Sequence, residues 1–240
     1  MLEAALWGLL TAGSLLLGAA IALMARPGRR VVGLTIAFGA GALIAAVAYE
    51  LVLDAFETSA GGAALGFGAG ALAFYAGDRL VDRRGGHGRK SMAGASYLSA
   101  RAGAIVLGTV LDGIPESLVL GTSLRADGVV PVAVVVGVFV SNVPESLSAT
   151  TGLRESGWSS ARLLAMWSAV VAVSVLAAVV GWWALGSMTG AQGAFALSFA
   201  GGALLVMLSD TLVPEAFELC GREAGLLTAL GFALGFALSA

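Results

Sequence analysis

Two near-repeats set carboxylates beside prolines in otherwise apolar sequence: Leu111-Asp112-Gly113-Ile114-Pro115-Glu116-Ser117-Leu118 and Val140-Ser141-Asn142-Val143-Pro144-Glu145-Ser146-Leu147. Asp112 and Glu116 are four residues apart, as are Ser141 and Glu145, so each pair shares one face of a helix; Asn142, three before Glu145, falls on the same side. Pro115 and Pro144 have no N–H to give the carbonyls of Leu111 and Val140, so each helix is expected to kink and release a backbone oxygen. Asp112, Glu116, Ser141, Asn142 and Glu145 then offer carboxylates, an amide, a hydroxyl and spare carbonyls. An all-oxygen set of this kind suits hard or borderline divalent cations, because carboxylates offset the charge while waters complete the shell. The competing reading is structural, with the glutamates ion-paired or protonated between helices. No Lys or Arg falls in the core of an apolar segment, which deprives the ion-pair version of a partner.

These motifs sit in a chain built for lipid. Of 240 residues, 58% are hydrophobic and 12% charged, and the mean hydropathy is +0.94, too few charges to coat a soluble globule. A hydrocarbon core about 30 Å thick needs about 20 apolar residues per helix. Eight such segments are expected, at about 3–24, 31–53, 60–80, 99–122, 128–150, 161–185, 191–213 and 222–240. A charge at bilayer depth costs on the order of 3 kcal/mol on insertion scales, so carboxylates in such segments are retained mainly for work on ions or protons. The first segment has its arginines after it rather than before it, which predicts a retained helix rather than a cleaved signal. The chain is expected to be one transmembrane domain over 1–240, in the cell membrane, with the bilayer as a partner and no nucleic acid.

Charge distribution predicts the orientation. Twelve of the thirteen basic residues fall in alternate connections or beside them, from Arg26, Arg29 and Arg30 through the polar loop at about 81–98 to Arg222; only Arg125 lies on the other side. By the positive-inside rule both termini are expected outside the cytoplasm. The lone His87, in that loop, reads as a loop residue. A single cysteine, Cys220, excludes an internal disulfide and any cysteine-based zinc cluster. Gly62, Gly66 and Gly70 recur every fourth residue and predict close helix packing rather than phosphate binding.

A longer internal similarity sets the architecture. Residues 37–57 laid over 198–218, an offset of 161, give nine identities in 21 positions, ending Asp54-Ala55-Phe56-Glu57 against Glu215-Ala216-Phe217-Glu218. The two segments would run in opposite directions, the mark of an inverted repeat with its substrate site near the midplane. The expected fold is therefore all-α, eight transmembrane helices in a three-two-three arrangement. Inverted repeats at about 1–80 and 161–240 would enclose central helices at about 99–150.

The paired motifs resemble the signature of the ZIP (Zrt/Irt-like) divalent metal transporters, in which span four carries His-Asn-x-Pro-Glu-Gly and span five His-x-x-Pro-Glu. The resemblance extends to eight spans, outside termini, a long loop after span three and the inverted repeat, and so covers essentially the whole chain. It implies that Glu116 and Glu145 are metal-binding glutamates, that Pro115 and Pro144 match the family's prolines, and that Asn142 is a polar ligand. Asp112, Gly113 and Ser141 stand where the family has His, Asn and often His. Loss of both imidazoles leaves manganese, iron or magnesium open beside zinc.

The resulting expectation is transport of divalent metal cations into the cytoplasm by alternating access, the metal being substrate and no cofactor being required. Glu50 and Asp54 near one end of span two, and Asp210 and Glu215 near the other end of span seven, are expected to line the approaches or to be solvated helix ends. No nucleotide-binding motif or catalytic nucleophile is present, and Asp112 with Asp210 gives little ground for an aspartyl protease, so no enzyme is expected. Two rivals are a non-transporting metal sensor or scaffold on the same fold and a proton-coupled carrier of another small solute. Glycine-rich faces permit a homodimer.

Overall fold

The computed structural model describes residues 1–25, 27–81, 83, 102–185 and 188–239; the side chains at 102–109, 111–112, 126–127 and 184–185 lie outside that description. The expected loop at 81–98, with His87, falls almost wholly outside the described residues. Among the described residues there is no strand. Eight helices follow in order: α1 (Leu2–Met24), α2 (Arg29–Thr58), α3 (Ala60–Val81), α4 (Ala102–Asp127), α5 (Val132–Glu155), α6 (Ser160–Trp183), α7 (Gly190–Cys220) and α8 (Glu223–Ser239).

Six of them, α1, α2, α3, α5, α6 and α7, are long and apolar enough to cross a membrane. Of the other two expected spans, α8 is an apolar helix of 17 residues, and α4, of 26 residues, carries Asp112, Glu116 and Arg125. Apolar side chains cover the outside of the bundle: Leu65 and Leu72 of α3 are 71% and 70% exposed, as suits a lipid-facing surface. The one fully buried tryptophan, Trp167 of α6, gives its Nε1–H to Thr150 Oγ1 of α5 at 2.8 Å, while Trp183 is 70% exposed near a helix end. The first serves packing, and the second has the exposed, helix-end position that suits an aromatic side chain at an interface.

Helix ends are set by local chemistry. Gly128 and Gly157, with φ of +73° and +88°, turn the short connections from α4 to α5 and from α5 to α6. Ser159 Oγ accepts from the Arg162 N–H to cap α6. Both prolines lie inside uninterrupted α-helix. The departures from α geometry lie elsewhere, in π turns at Val47–Leu53 of α2, Leu208–Leu212 of α7 and Gly181–Leu185 at the end of α6. Beyond their π turns α2 and α7 continue as α-helix to Thr58 and Cys220, so they have 30 and 31 residues and run well past the ends expected at 53 and 213.

The most extensive packing pairs are α3 with α7 and α2 with α8; α1 lies on α5 and α6, α2 also on α5, and α4 on α6. Glycines make the first two possible. A methyl group built on Gly70 would overlap the carbonyl oxygen of Phe199, and one on Gly202 that of Phe67. In the other pair, Gly231 meets the Phe38 carbonyl and Gly41 that of Thr228 in the same way. The Gly62, Gly66, Gly70 series thus does what its spacing predicts, letting α3 lie backbone to backbone on α7. The Arg30–Glu223 ion pair, 2.6 Å between α2 and α8, is exposed and adds little.

Gly70→Val must push two helix backbones apart, at a cost of about 1–3 kcal/mol or more. We expect a lower thermal unfolding midpoint in detergent, measured by tryptophan fluorescence. Gly68→Val, on the same helix with nothing within 4 Å of its added carbon, should leave that midpoint in place.

Candidate functional site

Antiparallel α4 and α5 carry their motifs to the same depth, and three of the five predicted ligands, Glu116, Asn142 and Glu145, line one cavity. All three are nearly closed to solvent, at 4%, 4% and 8% exposure. The open space between them is narrow, with room for about one water or one bare ion. Helices α1 and α6 close the cavity with Thr11 and Ser174.

The amide of Asn142 is oriented by α1. Its Nδ2 donates to the Thr11 carbonyl oxygen at 3.3 Å, and because a carbonyl only accepts, the amide branch on that side must be nitrogen. The other branch, Oδ1, is an acceptor. Ser14 Oγ donates to the same Thr11 oxygen, while the Thr11 hydroxyl turns back to the Trp7 carbonyl at 3.0 Å. On the opposite side Gly113, which is to Glu116 what Asn142 is to Glu145, has no side chain; a carbon added there would stand 3.2 Å from Ser174 Oγ. Ser174 therefore occupies space that a larger residue at 113 would take.

The remaining predicted residues are distributed as follows. Ser141 is buried beside the cavity rather than in its lining; its Oγ donates to Val138 O on its own helix at 3.1 Å and its backbone abuts Gly39 of α2. Asp112 lies on α4, but its side chain is outside the described residues. Among the described residues no group of three or more His, Cys, Asp or Glu converges, so the set in the cavity is two carboxylates and an amide with hydroxyls around them. Glu215 is no solvated helix end: it is 5% exposed and its Oε1 accepts from Ser148 Oγ of α5 at 2.5 Å, one turn along from Glu145. Asp54 is exposed and lines a cleft of about 750 Å³ at the end where α4 finishes. A second cleft, about 380 Å³, lies at the opposite end beside Thr151, Arg154 and Glu155. Glu50 is half-buried and Asp210 exposed, each on a π turn.

Thr11, Ser174 and Ser148 were not singled out by sequence. Each is a small hydroxyl residue in a largely apolar helix, a pattern that ordinarily means a bond to the residue's own helix. Only Gly113, a gap in the motif, hinted that another helix fills the space.

The chain matches no protein-family model and no curated protein sequence.

Asn142→Ala removes the link between α5 and α1 and leaves the Thr11 carbonyl with one donor fewer. A destabilisation of about 1 kcal/mol is expected in detergent unfolding, against less for Ser141→Ala, whose hydroxyl bonds within its own helix.

Proposed function

We propose that this chain transports divalent metal cations across a membrane into the cytoplasm by alternating access, with Glu116 and Glu145 as the principal ligands. The supporting observation is that two carboxylates 29 residues apart, on separate helices, share one buried ion-sized cavity with an oriented amide. Buried charge of one sign is tolerated when a counter-charge or a proton joins it, and a cavity of this size takes a cation. Oxygen-only donors suit manganese, iron or magnesium at least as well as zinc. Asp112 is assigned as a further ligand from its position on α4, one turn before Glu116; Ser141 supports the α5 backbone beside the site.

In this reading all eight helices span the bilayer, both termini lie outside the cytoplasm, and the arrangement is three-two-three with inverted repeats. Matched packing favours the repeat. The Gly70–Phe199 and Gly231–Phe38 approaches, the Gly202–Phe67 and Gly41–Thr228 approaches, and the π turns starting at Val47 and Leu208 are each related by 161 residues. The same offset aligns the sequences. The two clefts at opposite ends fit a site reached alternately from either side. Resemblance of the paired Pro-Glu motifs to those of ZIP transporters points the same way.

Uptake of radioactive manganese and zinc into proteoliposomes tests the proposal. Glu116→Ala and Glu145→Ala should each lower flux at least about tenfold, the equivalent of losing one charged ligand. Undiminished flux in both variants would remove the site from the pathway, and a parent protein that moves no metal would favour the sensor or scaffold reading.

A further inference from the structure

The cleft at the α4 end is far larger than a bare or hydrated cation and is mixed in charge. The cleft has about 750 Å³, in the range of small-molecule sites and many times the space one hydrated cation needs. Its walls carry both signs: Asp54 and Glu57 from the end of α2 face a space shared with Arg125 from the end of α4, and Thr58, Thr122 and Ser123 add hydroxyls. Arg125 is the one basic residue the sequence assigns to this side, and its guanidinium lies over the Trp182 ring of α6 at 4.7 Å from the centroid. That stacking holds the positive charge at the cleft instead of letting it swing into solvent. A guanidinium there repels an approaching free dication, yet it is the side chain best shaped to grip a carboxylate. Ser123 is seven residues from Glu116, on the same face of α4 two turns away, so the cleft lies on the line to the ion-sized cavity.

We propose that this cleft docks a divalent cation as its complex with a small di- or tricarboxylate, the guanidinium of Arg125 taking the organic carboxylate while Asp54 and Glu57 face the metal. The cation is then passed inward and the organic acid, far too large for the inner cavity, is left behind. The inference rests on the transport reading for its last step, but the docking step is measurable alone.

Citrate is the probe. Manganese uptake into proteoliposomes is compared with and without citrate at the same free manganese concentration, for the parent and for Arg125→Gln. In parallel, radiolabelled citrate binding to the purified full chain in detergent is measured with and without manganese. The parent should take up manganese faster with citrate, should bind citrate more tightly when manganese is present, and should lose both effects with Arg125→Gln; Trp182→Leu should weaken them. Manganese uptake indifferent to citrate, or stimulated equally in Arg125→Gln, overturns the inference and leaves the transport reading standing. Absence of any metal uptake by the parent overturns the transport reading itself, and citrate binding that depends on manganese and Arg125 would then keep the cleft as a docking site. An Arg125→Gln protein that elutes as aggregate is replaced by Arg125→Lys, which keeps the charge but not the two-pronged grip and should lose most of the citrate effect.

Discussion

Two carboxylates of like charge in one nearly solvent-free cavity are the constraint around which the bundle is organised. Withdrawn from water, each charge costs several kcal/mol unless hydrogen bonds, a proton or a cation offset it, and placing them together adds repulsion. The surroundings are arranged for that situation. Asn142 is fixed by α1 so that its acceptor branch is left over, Gly113 makes room for a hydroxyl from α6, and the space between the glutamates matches one ion. Four helices must keep their positions for this to hold. The Trp167–Thr150 bond and the packing of α1 on α5 and α6 hold them from behind.

Outside that centre, the structure depends on backbones lying unusually close. Without a hydrophobic drive between helices in lipid, association comes from dispersion and small residues. Here the two most extensive helix pairs, α3 with α7 and α2 with α8, each use glycines against main-chain carbonyls. At these glycines a side chain would meet main-chain atoms of the partner helix. The π turns of α2 and α7, by contrast, relax the regular hydrogen-bond ladder near the level of the acidic side chains Glu50 and Asp210.

Much of this was legible in the chain. Apolar length located all eight helices to within a few residues at most ends, the Gly62, Gly66, Gly70 spacing announced its packing, and the two motifs declared which faces of α4 and α5 matter. Two kinds of feature were not. Pro115 and Pro144 drew attention to α4 and α5 as the irregular helices, but the backbone departs from α geometry in α2 and α6, where Val47 and Gly181 carry no comparable signal, and in α7, where Pro214 closely follows the π turn. The partners of the site from α1 and α6 were also hidden, because Thr11 and Ser174 become neighbours of Glu116 and Glu145 only through tertiary packing. Glu215 shows the same limit. By sequence it sits near a helix end; in three dimensions it is buried against Ser148.

The central claim is that a cation sits between Glu116 and Glu145. Crystals soaked in manganese(II), with diffraction recorded above and below the metal absorption edge, test it most directly. The account predicts one anomalous peak inside the cavity bounded by Glu116, Asn142 and Glu145, lost in crystals of Glu116→Ala soaked in the same way. An empty cavity in the parent with the metal bound only at surface carboxylates would contradict it.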